Sequence, residues 1–218
     1  MIDIFDDIVA VGFDLDGTLY KLTKEINDRI RNKIAERILE RKPDLENILN
    51  ARTFFESEYK RLHSGIRVME EIGYKNAGFV MDGCLAEADI IDLLNEDNEL
   101  RKVLDEIKEN YITYLLTSNP ELLSLDKLSA LGIDENVFHL MTFSDTPRVG
   151  RKYDGTAFNY IVKETLVPPE NHVYIGDRLN SDILPAKKIG MKTIAVGSEI
   201  PEADYSIKDI KEIRNLLF

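Results

Sequence analysis

Two aspartates separated by a single residue follow an apolar stretch near the start of the chain. Residues 11–21 read VGFDLDGTLYK. In an extended chain, side chains two residues apart point to the same side, so Asp14 and Asp16 would face one pocket while Leu15 points away. Two adjacent negative charges repel, so such a pair is typical of a site that binds a cation, shares a proton or needs an ionised carboxylate beside a protonatable one. An acidic turn after a strand is the alternative that these residues alone leave open.

Two further groups of polar residues follow later apolar segments. Residues 117–119 read TSN, come directly after YITYLL and precede a proline that can begin a helix. Hydroxyl and backbone donors at such a place can bind a phosphate, although the same residue types are also ordinary helix caps. The segment RVGRKYDG then contributes three cations, Arg148, Arg151 and Lys152. One of them could neutralise a phosphate and keep Asp14 ionised.

A second pair of carboxylates follows the apolar segment HVYIG. Asp177 comes directly after this segment, and Asp182 lies five residues later in GDRLNSD. This spacing suits one metal ligand and one carboxylate that orients the ligands around it. Each group alone is a weak signal, but the four groups in this order, each just beyond an apolar segment, are hard to explain as turns and caps.

The elements that must position these residues are predicted to be parallel strands. Apolar runs at 9–13, 111–116, 138–143, 172–176 and 193–197 read as buried strands. Helical patterns lie between them, including PELLSLDKLSALG and SDILPAKKIG, each of which ends at a glycine. This alternation predicts an α/β fold with a doubly wound, Rossmann-like parallel sheet. Open sheets of this class bind their ligands at the carboxyl ends of the strands, where the four groups fall.

The segment between the first strand and the rest of the sheet differs from the remainder of the chain. Isoleucines recur every four residues from Ile26 to Ile38, and no convincing strand is visible. We therefore predict an all-helical domain at residues 21–98, inserted into a core formed by residues 1–20 and 99–218.

Composition excludes several classes of protein. The chain has 218 residues, a formal net charge of −12, and 44% hydrophobic and 31% charged residues. An acidic protein lacks the basic surface that nucleic acid polymers and anionic membranes require. Its apolar runs are shorter than the ~20 residues of a membrane span, and the acidic start MIDIFDDI is unlike a signal peptide. The single cysteine, Cys84, fits a reducing compartment, so we expect a cytoplasmic protein.

The chain resembles the haloacid dehalogenase superfamily of aspartate-nucleophile phosphotransferases. The resemblance is carried by DLDGT, LLTSN, Lys152 with Phe158 six residues on, and GDRLNSD. It implies that Asp14 attacks phosphorus and forms an aspartyl phosphate, while Asp16 protonates the leaving oxygen and then activates water. Because Asp14 would lie next to the cation, we expect Asp14 to stay ionised and Asp16 to carry the proton.

The resemblance also implies the ligands of the metal and of the phosphate. Mg²⁺ would be held by Asp14, the backbone carbonyl of Asp16 and Asp177. The transferring phosphoryl group would be bound by Ser118, Asn119 and Lys152. Relatives usually have Lys-Pro where this chain has Lys152-Tyr153, so Arg151 could share the work.

The inserted helices resemble, by their position, the cap domains that select the leaving group. The segment FFESEYKRLHSGIRVM is similar to the cap of pyrimidine 5′-nucleotidase-like members of the superfamily. Tyr59, His63 and Arg67 are spaced by four residues and would share a helix face if the helix continues through Gly65. Tyr59 and Arg67 are therefore candidate specificity residues, although packing of the aromatic residues inside the cap is an equal alternative. Those relatives commonly have Asp-Asp-Ser where this chain has Gly-Asp-Arg at 176–178, which argues against the nucleotidase branch.

The predicted function is hydrolysis of a phosphomonoester of a small metabolite with Mg²⁺, and a nucleoside 5′-monophosphate is one candidate substrate. The alternatives are a sugar-phosphate or phosphoglycolate phosphatase and a phosphomutase. A regulatory protein that keeps the fold without turnover is the alternative outside enzymes. The sequence does not predict the oligomeric state.

Overall fold

The computed structural model describes residues 5–218, so residues 1–4 of the predicted core lie outside the described part of the chain. The described residues divide into two compact units. The larger unit contains residues 5–21 and 94–218, and the smaller unit is Leu22–Leu93. Each unit has its own hydrophobic core.

The larger unit is built on a parallel sheet. The strands found in the described residues are β1 (Ala10–Phe13), β2 (Ile112–Leu116), β3 (Leu140–Thr142), β4 (His172–Gly176), β5 (Lys192–Val196) and β6 (Tyr205–Ile207). Their order across the sheet is β3-β2-β1-β4-β5-β6, and every neighbouring pair is parallel. The predicted doubly wound α/β fold is therefore confirmed.

Helices connect the strands of the sheet and form the smaller unit. The α-helices of the described chain are α1 (Lys24–Arg41), α2 (Ile48–Leu62), α3 (Gly65–Glu71), α4 (Ala77–Glu87), α5 (Asn98–Asn110), α6 (Glu121–Ala130), α7 (Thr156–Thr165), α8 (Leu184–Lys188) and α9 (Arg214–Leu217). A π-helical turn at Leu179–Ile183 precedes α8. Helix α5 is a capped, amphipathic helix: Asp97 caps its first backbone N–H groups, and one face buries Leu100, Leu104 and Ile107.

The order of the strands places a topological switch point at β1. The chain leaves β1 and builds one side of the sheet with β2 and β3, and it then returns to build the other side with β4. Loops on opposite sides of β1 diverge at its carboxyl end and leave a crevice there. The segments after β1, β2 and β4 that the sequence singled out all meet at this edge.

Aromatic rings pack beneath this edge of the sheet. Tyr114 and Tyr174 are fully buried, and their ring centroids lie 6.3 Å apart. The ring of Phe158 packs edge-on against Tyr174 at 4.8 Å. A Cβ on Gly12 would lie 2.1 Å from the Tyr114 ring, so the glycine in β1 allows Tyr114 to pack against the strand.

Sequence and structure agree better on the inner strands than at the sheet edge. Strand β4 has the predicted bounds, β1 and β2 are shorter by one residue, β3 is shorter by three, and β5 has the predicted length but lies one residue earlier. Strand β6 was not predicted, because its three residues YSI carry no continuous apolar run. The predicted helix SDILPAKKIG begins instead as the π-helical turn.

The smaller unit, Leu22–Leu93, consists of α1 to α4 with short turns and contains no strand. Ile26, Ile34 and Ile38 of α1 are buried, as their spacing predicts. Phe55 of α2 is also buried, and Tyr59 packs against it with ring centroids 5.7 Å apart.

The insertion is shorter than the predicted 21–98. Lys21 belongs to the larger unit, where its ammonium pairs with Asp209. Residues 94–98 also belong to the larger unit, since the backbone N–H of Asp97 donates to the carbonyl of Leu131 and its side chain caps α5. This segment therefore leads into helix α5, which begins at Asn98.

Candidate active site

The carboxylate pair of the sequence lies at the carboxyl end of β1. Asp14 follows the last residue of the strand and is 6% exposed. The backbone turns sharply after Asp16 at Gly17, which has φ +82°. A Cβ on Gly17 would also lie 2.4 Å from Oδ2 of Asp177, so only glycine lets the two loops approach this closely.

Lys152 links the first aspartate to the second pair of carboxylates. Its Nζ donates to Oδ1 of Asp14 at 2.7 Å and lies 2.5 Å from Oδ1 of Asp182. All three side chains are nearly or fully buried. Lys152 also lies over the ring of Tyr174, 5.4 Å from its centroid. The lysine that the sequence singled out is therefore the cation held against Asp14.

Asp16 is held by a different group of residues. Its Oδ1 accepts hydrogen bonds from the ammonium of Lys127, at 2.7 Å, and from the hydroxyl of Tyr20. Its Oδ2 accepts one from the side-chain amide of Asn119, also at 2.7 Å. Lys127 additionally donates to Oδ1 of Asn119 at 3.2 Å. The two aspartates thus face one site but have separate cationic partners.

Three carboxylates converge beside Lys152. One oxygen from each of Asp14, Asp177 and Asp182 lies within 4.8 Å of the other two. Oδ1 of Asp177 is buried and accepts no hydrogen bond from the described residues, and Nε of Arg178 lies 3.7 Å from it. Hard oxygen donors in this arrangement are those that Mg²⁺ prefers. These residues therefore fit a divalent cation, with Asp182 engaged by Lys152 and by the backbone N–H of Arg178.

The electrostatics of the site differ between its two aspartates. Burial, opposed by Lys152 and reinforced by Asp182 and Asp177, raises the pKa of Asp14 to about 7. Burial raises the pKa of Asp177 to about 6 against the attraction of Arg178. These shifts are those expected where carboxylates crowd together, and a divalent cation among them favours their ionised forms.

Asp16 shows the opposite behaviour. Burial alone would raise its pKa, but Lys127 and the hydrogen bonds from Tyr20 and Asn119 hold the pKa below its usual value. Without a metal ion these shifts run opposite to the predicted split, which assumed Mg²⁺ beside Asp14, so the split stays a prediction for the metal-bound site. The sequence reasoning missed the cation that neutralises Asp16.

The candidate phosphate-binding and cationic residues in the loops after β2 and β3 differ in how deeply they are buried. Ser118 is exposed, whereas Asn119 is 1% exposed. Both side-chain N–H groups of Asn119 are used, one by Asp16 and one by Oγ1 of Thr117. The side chain of Asn119 therefore holds the site together instead of offering a donor to a phosphate. Arg151 is exposed and contacts the ring and hydroxyl of Tyr153.

The candidate specificity residues do not share a helix face. Helix α2 ends at Leu62, His63 adopts a left-handed conformation with φ 54°, and Ser64 caps the new helix α3. Tyr59 packs inside the smaller unit, while Arg67 is exposed on α3. The condition attached to the prediction, a helix that continues through Gly65, is not met.

Two residues of the site were not predicted from the sequence, Lys127 and Tyr20. Lys127 is 1% exposed although it lies on a helix, where lysine usually reaches solvent. A sequence signal existed: Lys127 lies four residues after Leu123 and next to Leu128 on α6, so it lies close to the apolar side of the helix. Tyr20, four residues after Asp16, could have been noticed in DLDGTLY.

Comparison with known proteins agrees with this geometry. A family model described as haloacid dehalogenase-like hydrolase matches residues 8–190. The chain belongs to this family. The predicted family is thus confirmed, and the motif residues of the site, from Asp14 to Asp182, lie inside the matched region.

Curated relatives in this family cover nearly the whole chain. A protein named glyceraldehyde 3-phosphate phosphatase from Pyrococcus furiosus is 29% identical over 96% of this chain and 93% of its own length. A protein of the same name from Methanocaldococcus jannaschii is 25% identical over 96% and 97%.

Solved structures show the same fold. A HAD phosphatase from Thermococcus onnurineus has a TM-score of 0.66 at 21% identity, covering 96% of this chain and 98% of the other. A structure described as a putative beta-phosphoglucomutase from Thermotoga maritima has a TM-score of 0.62 at 22% identity, with 96% and 98% covered. At these identities the likeness supports the fold alone.

None of the helices in residues 5–218 is both long and apolar enough to cross a membrane.

Proposed function

We propose that the protein is a Mg²⁺-dependent phosphomonoester hydrolase that acts on a small sugar phosphate through an aspartyl-phosphate intermediate. One observation carries the proposal: Asp14 lies at the end of β1 with Lys152 at 2.7 Å and within reach of Asp177 and Asp182. A nucleophilic carboxylate beside dense positive charge is what phosphoryl transfer requires.

The ligands of the cation are drawn from the same loops. Asp14, Asp177 and the backbone carbonyl of Asp16 would hold Mg²⁺. When bound, the ion supplies positive charge to the oxygens of the transferring phosphoryl group and keeps the crowded carboxylates ionised. The buried Oδ1 of Asp177, which accepts no hydrogen bond among the described residues, supports this assignment.

The first half of the reaction needs a nucleophile and an acid. A carboxylate oxygen of Asp14 attacks phosphorus, the bond from phosphorus to the ester oxygen breaks, and Asp16 gives a proton to the departing alkoxide. Lys152 binds the phosphoryl oxygens and balances their charge. The protein's net charge of −12 repels phosphate at a distance, so this local positive charge must hold the substrate.

The second half regenerates the enzyme. Asp16, now ionised, accepts a proton from water as the water oxygen attacks the phosphorus of the aspartyl phosphate. The bond to Asp14 breaks, and inorganic phosphate leaves. The contacts from Lys127, Tyr20 and Asn119 stabilise the ionised form of Asp16, which this half of the reaction uses.

A sugar phosphate is favoured over a nucleotide as the substrate. Relatives that cover 96% of this chain are named glyceraldehyde 3-phosphate phosphatase. The nucleotide candidate came from the resemblance of FFESEYKRLHSGIRVM to nucleotidase caps, and its candidate specificity residues, Tyr59 and Arg67, lie on separate helices. Among sugar phosphates we therefore propose a triose phosphate.

The test is phosphate release from a panel of substrates. The panel contains glyceraldehyde 3-phosphate, phosphoglycolate, a hexose phosphate and a pyrimidine nucleoside 5′-monophosphate, each with Mg²⁺ and with chelator. We expect the highest kcat/KM for the triose phosphate and no turnover in chelator. The Asp14→Asn variant is the control, because its amide is a poor nucleophile and a weak metal ligand.

Other outcomes select other functions. A nucleotide that exceeds every sugar phosphate by tenfold, with discrimination lost in Arg67→Ala, would restore the nucleotidase hypothesis. Interconversion of sugar phosphates without phosphate release would indicate a phosphomutase. A purified protein that releases no phosphate from any of the four would indicate a regulatory protein. The cytoplasmic location stays a prediction.

A further inference from the structure

The contacts of Asp16 are unusual for a carboxylate that must exchange a proton. Its Oδ1 accepts from both Lys127 and Tyr20, while Oδ2 accepts only from Asn119 among the described residues. A carboxylate oxygen has about two lone-pair directions, so Oδ1 is fully used and Oδ2 has one left. The proton of the reaction therefore has one place to bind.

The three residues that contact Asp16 also hold each other. Lys127 donates to Oδ1 of Asn119 at 3.2 Å, which turns the amide nitrogen of Asn119 towards Asp16. The same nitrogen donates to Oγ1 of Thr117 at 2.9 Å. Lys127 and Asn119 are each 1% exposed, so water does not compete for these contacts. Buried hydrogen-bond networks of this kind fix side chains in one orientation.

A buried lysine at this place needs an explanation beyond stability. Lysine is almost never fully buried unless it is paired, and its only charged partner among the described residues is Asp16. Leucine or methionine at this position of α6 would pack without desolvating a charge. The ammonium is therefore retained for what it does to Asp16.

We propose that Lys127, together with Tyr20, is a positioning residue that immobilises Asp16 through Oδ1 and leaves Oδ2 to carry the proton. The inference rests on the proposed function, since it assigns a role to Asp16 as acid and base. Lys127 contacts neither the Asp14 carboxylate nor the convergent carboxylates, whose cation is Lys152.

The experiment compares Lys127→Met and Tyr20→Phe with the wild-type enzyme on two substrates. An alkyl phosphate needs a proton on its leaving oxygen, whereas an aryl phosphate with an acidic phenol does not. General acid–base catalysis contributes about 10²–10⁴-fold, so we expect Lys127→Met to lower kcat/KM for the alkyl phosphate by roughly tenfold to a hundredfold. The loss for the aryl phosphate should be several times smaller, and Tyr20→Phe should show the same pattern more weakly. Lys163→Met, which changes an exposed lysine of α7, is the matched control and should leave both values unchanged.

A double-mutant cycle separates positioning from folding. In an Asp16→Ala background, Lys127→Met should cause no further loss, because a residue that acts through Asp16 has nothing left to position. Equal losses in both backgrounds, equal losses on both substrates, or a rise in KM with unchanged kcat would each overturn the proposal. Tyr20→Phe removes one hydroxyl and keeps the ring, so it gives an answer even if Lys127→Met does not fold. Failure of the proposed function would be recognised separately, since the wild-type enzyme would then hydrolyse neither substrate.

Discussion

Replacing Lys152 by methionine should remove most of the activity. The substitution keeps the length and most of the volume of the side chain and deletes the charge. The ammonium lies 2.7 Å from Oδ1 of Asp14 and 2.5 Å from Oδ1 of Asp182, and it is 6% exposed. Two buried carboxylates would lose their shared cation, and the transferring phosphoryl group would lose one of its counter-charges.

The size of the effect follows from these distances. At an effective dielectric constant of 20, one charge pair at this separation attracts by about 6 kcal/mol, before the cost of desolvating the ammonium is subtracted. Breaking one buried pair costs about 3–5 kcal/mol of folding free energy, part of which the carboxylates recover by taking up protons. Removing one preorganised charge or donor from a transition state costs about 10²–10³-fold in kcat.

The assay is steady-state hydrolysis of an aryl phosphate at saturating Mg²⁺, with thermal melting to verify that each variant is folded. Arg151→Met is the matched control, because Arg151 is the adjacent cation and is exposed against Tyr153. We expect at most a threefold loss in the control, in line with a contact outside the reaction centre. A larger loss in Arg151→Met than in Lys152→Met would refute the assignment and would mean that the residue after Lys152, tyrosine instead of proline, has shifted the cation by one position.

Asp14→Asn should reduce turnover by several orders of magnitude while the fold persists, and more than a tenth of wild-type activity would rule out the nucleophile. Asp177→Ala should raise the Mg²⁺ concentration needed for half-maximal activity, as measured by titration into chelated enzyme. Gly17→Ala places a Cβ 2.4 Å from Oδ2 of Asp177 at a residue with φ +82°. We therefore expect the variant to lose about 1 kcal/mol or more of folding free energy, seen as a lower Tm, and to need a higher Mg²⁺ concentration for activity. Burial raises the pKa of Asp14 to about 7 and that of Asp177 to about 6, so protonation of these two groups favours the folded state of the chelated protein. This contribution to the folding free energy is complete below pH ~4 and is lost as the pH rises through 6 and 7. Melting curves in chelator should show that loss, and Mg²⁺ should raise the Tm more at pH 7.5 than at pH 5; an equal rise at both would contradict the metal assignment.

The parallel sheet and the site residues on its loops could be predicted from the sequence. Continuous apolar runs mark buried parallel strands, and the carboxyl ends of such strands must meet at one edge. Asp14, Lys152 and Asp177 could therefore be assigned to one site without coordinates. Strand β6 could not be predicted, since a three-residue edge strand owes its conformation to pairing with β5 and not to its own residues.

The partners of Asp16 were beyond the sequence for a different reason. Lys127 is 111 residues away along the chain, and although its place on α6 indicates burial, the local pattern does not show that the helix turns it towards β1. In the absence of a metal ion the pKa values of the two aspartates depend on such long-range pairs, so their opposite shifts could not be read from the local sequence. The sequence left continuity through Gly65 as a condition, and the helix ends before that residue, at Leu62, where His63 adopts a left-handed conformation.

The packing of Tyr174 has a consequence for how inactive variants would be interpreted. Lys152 lies over the Tyr174 ring, that ring stacks on Tyr114, and Tyr114 fits only because Gly12 has no side chain. A genetic screen for loss of activity would therefore recover substitutions at Gly12 and Tyr114, which are buried and contact neither Asp14 nor Lys152 through a polar group. Variants with such substitutions should regain activity when a second change in the aromatic stack restores the fit, and suppressor pairs of this kind would identify the residues that hold Lys152 in place.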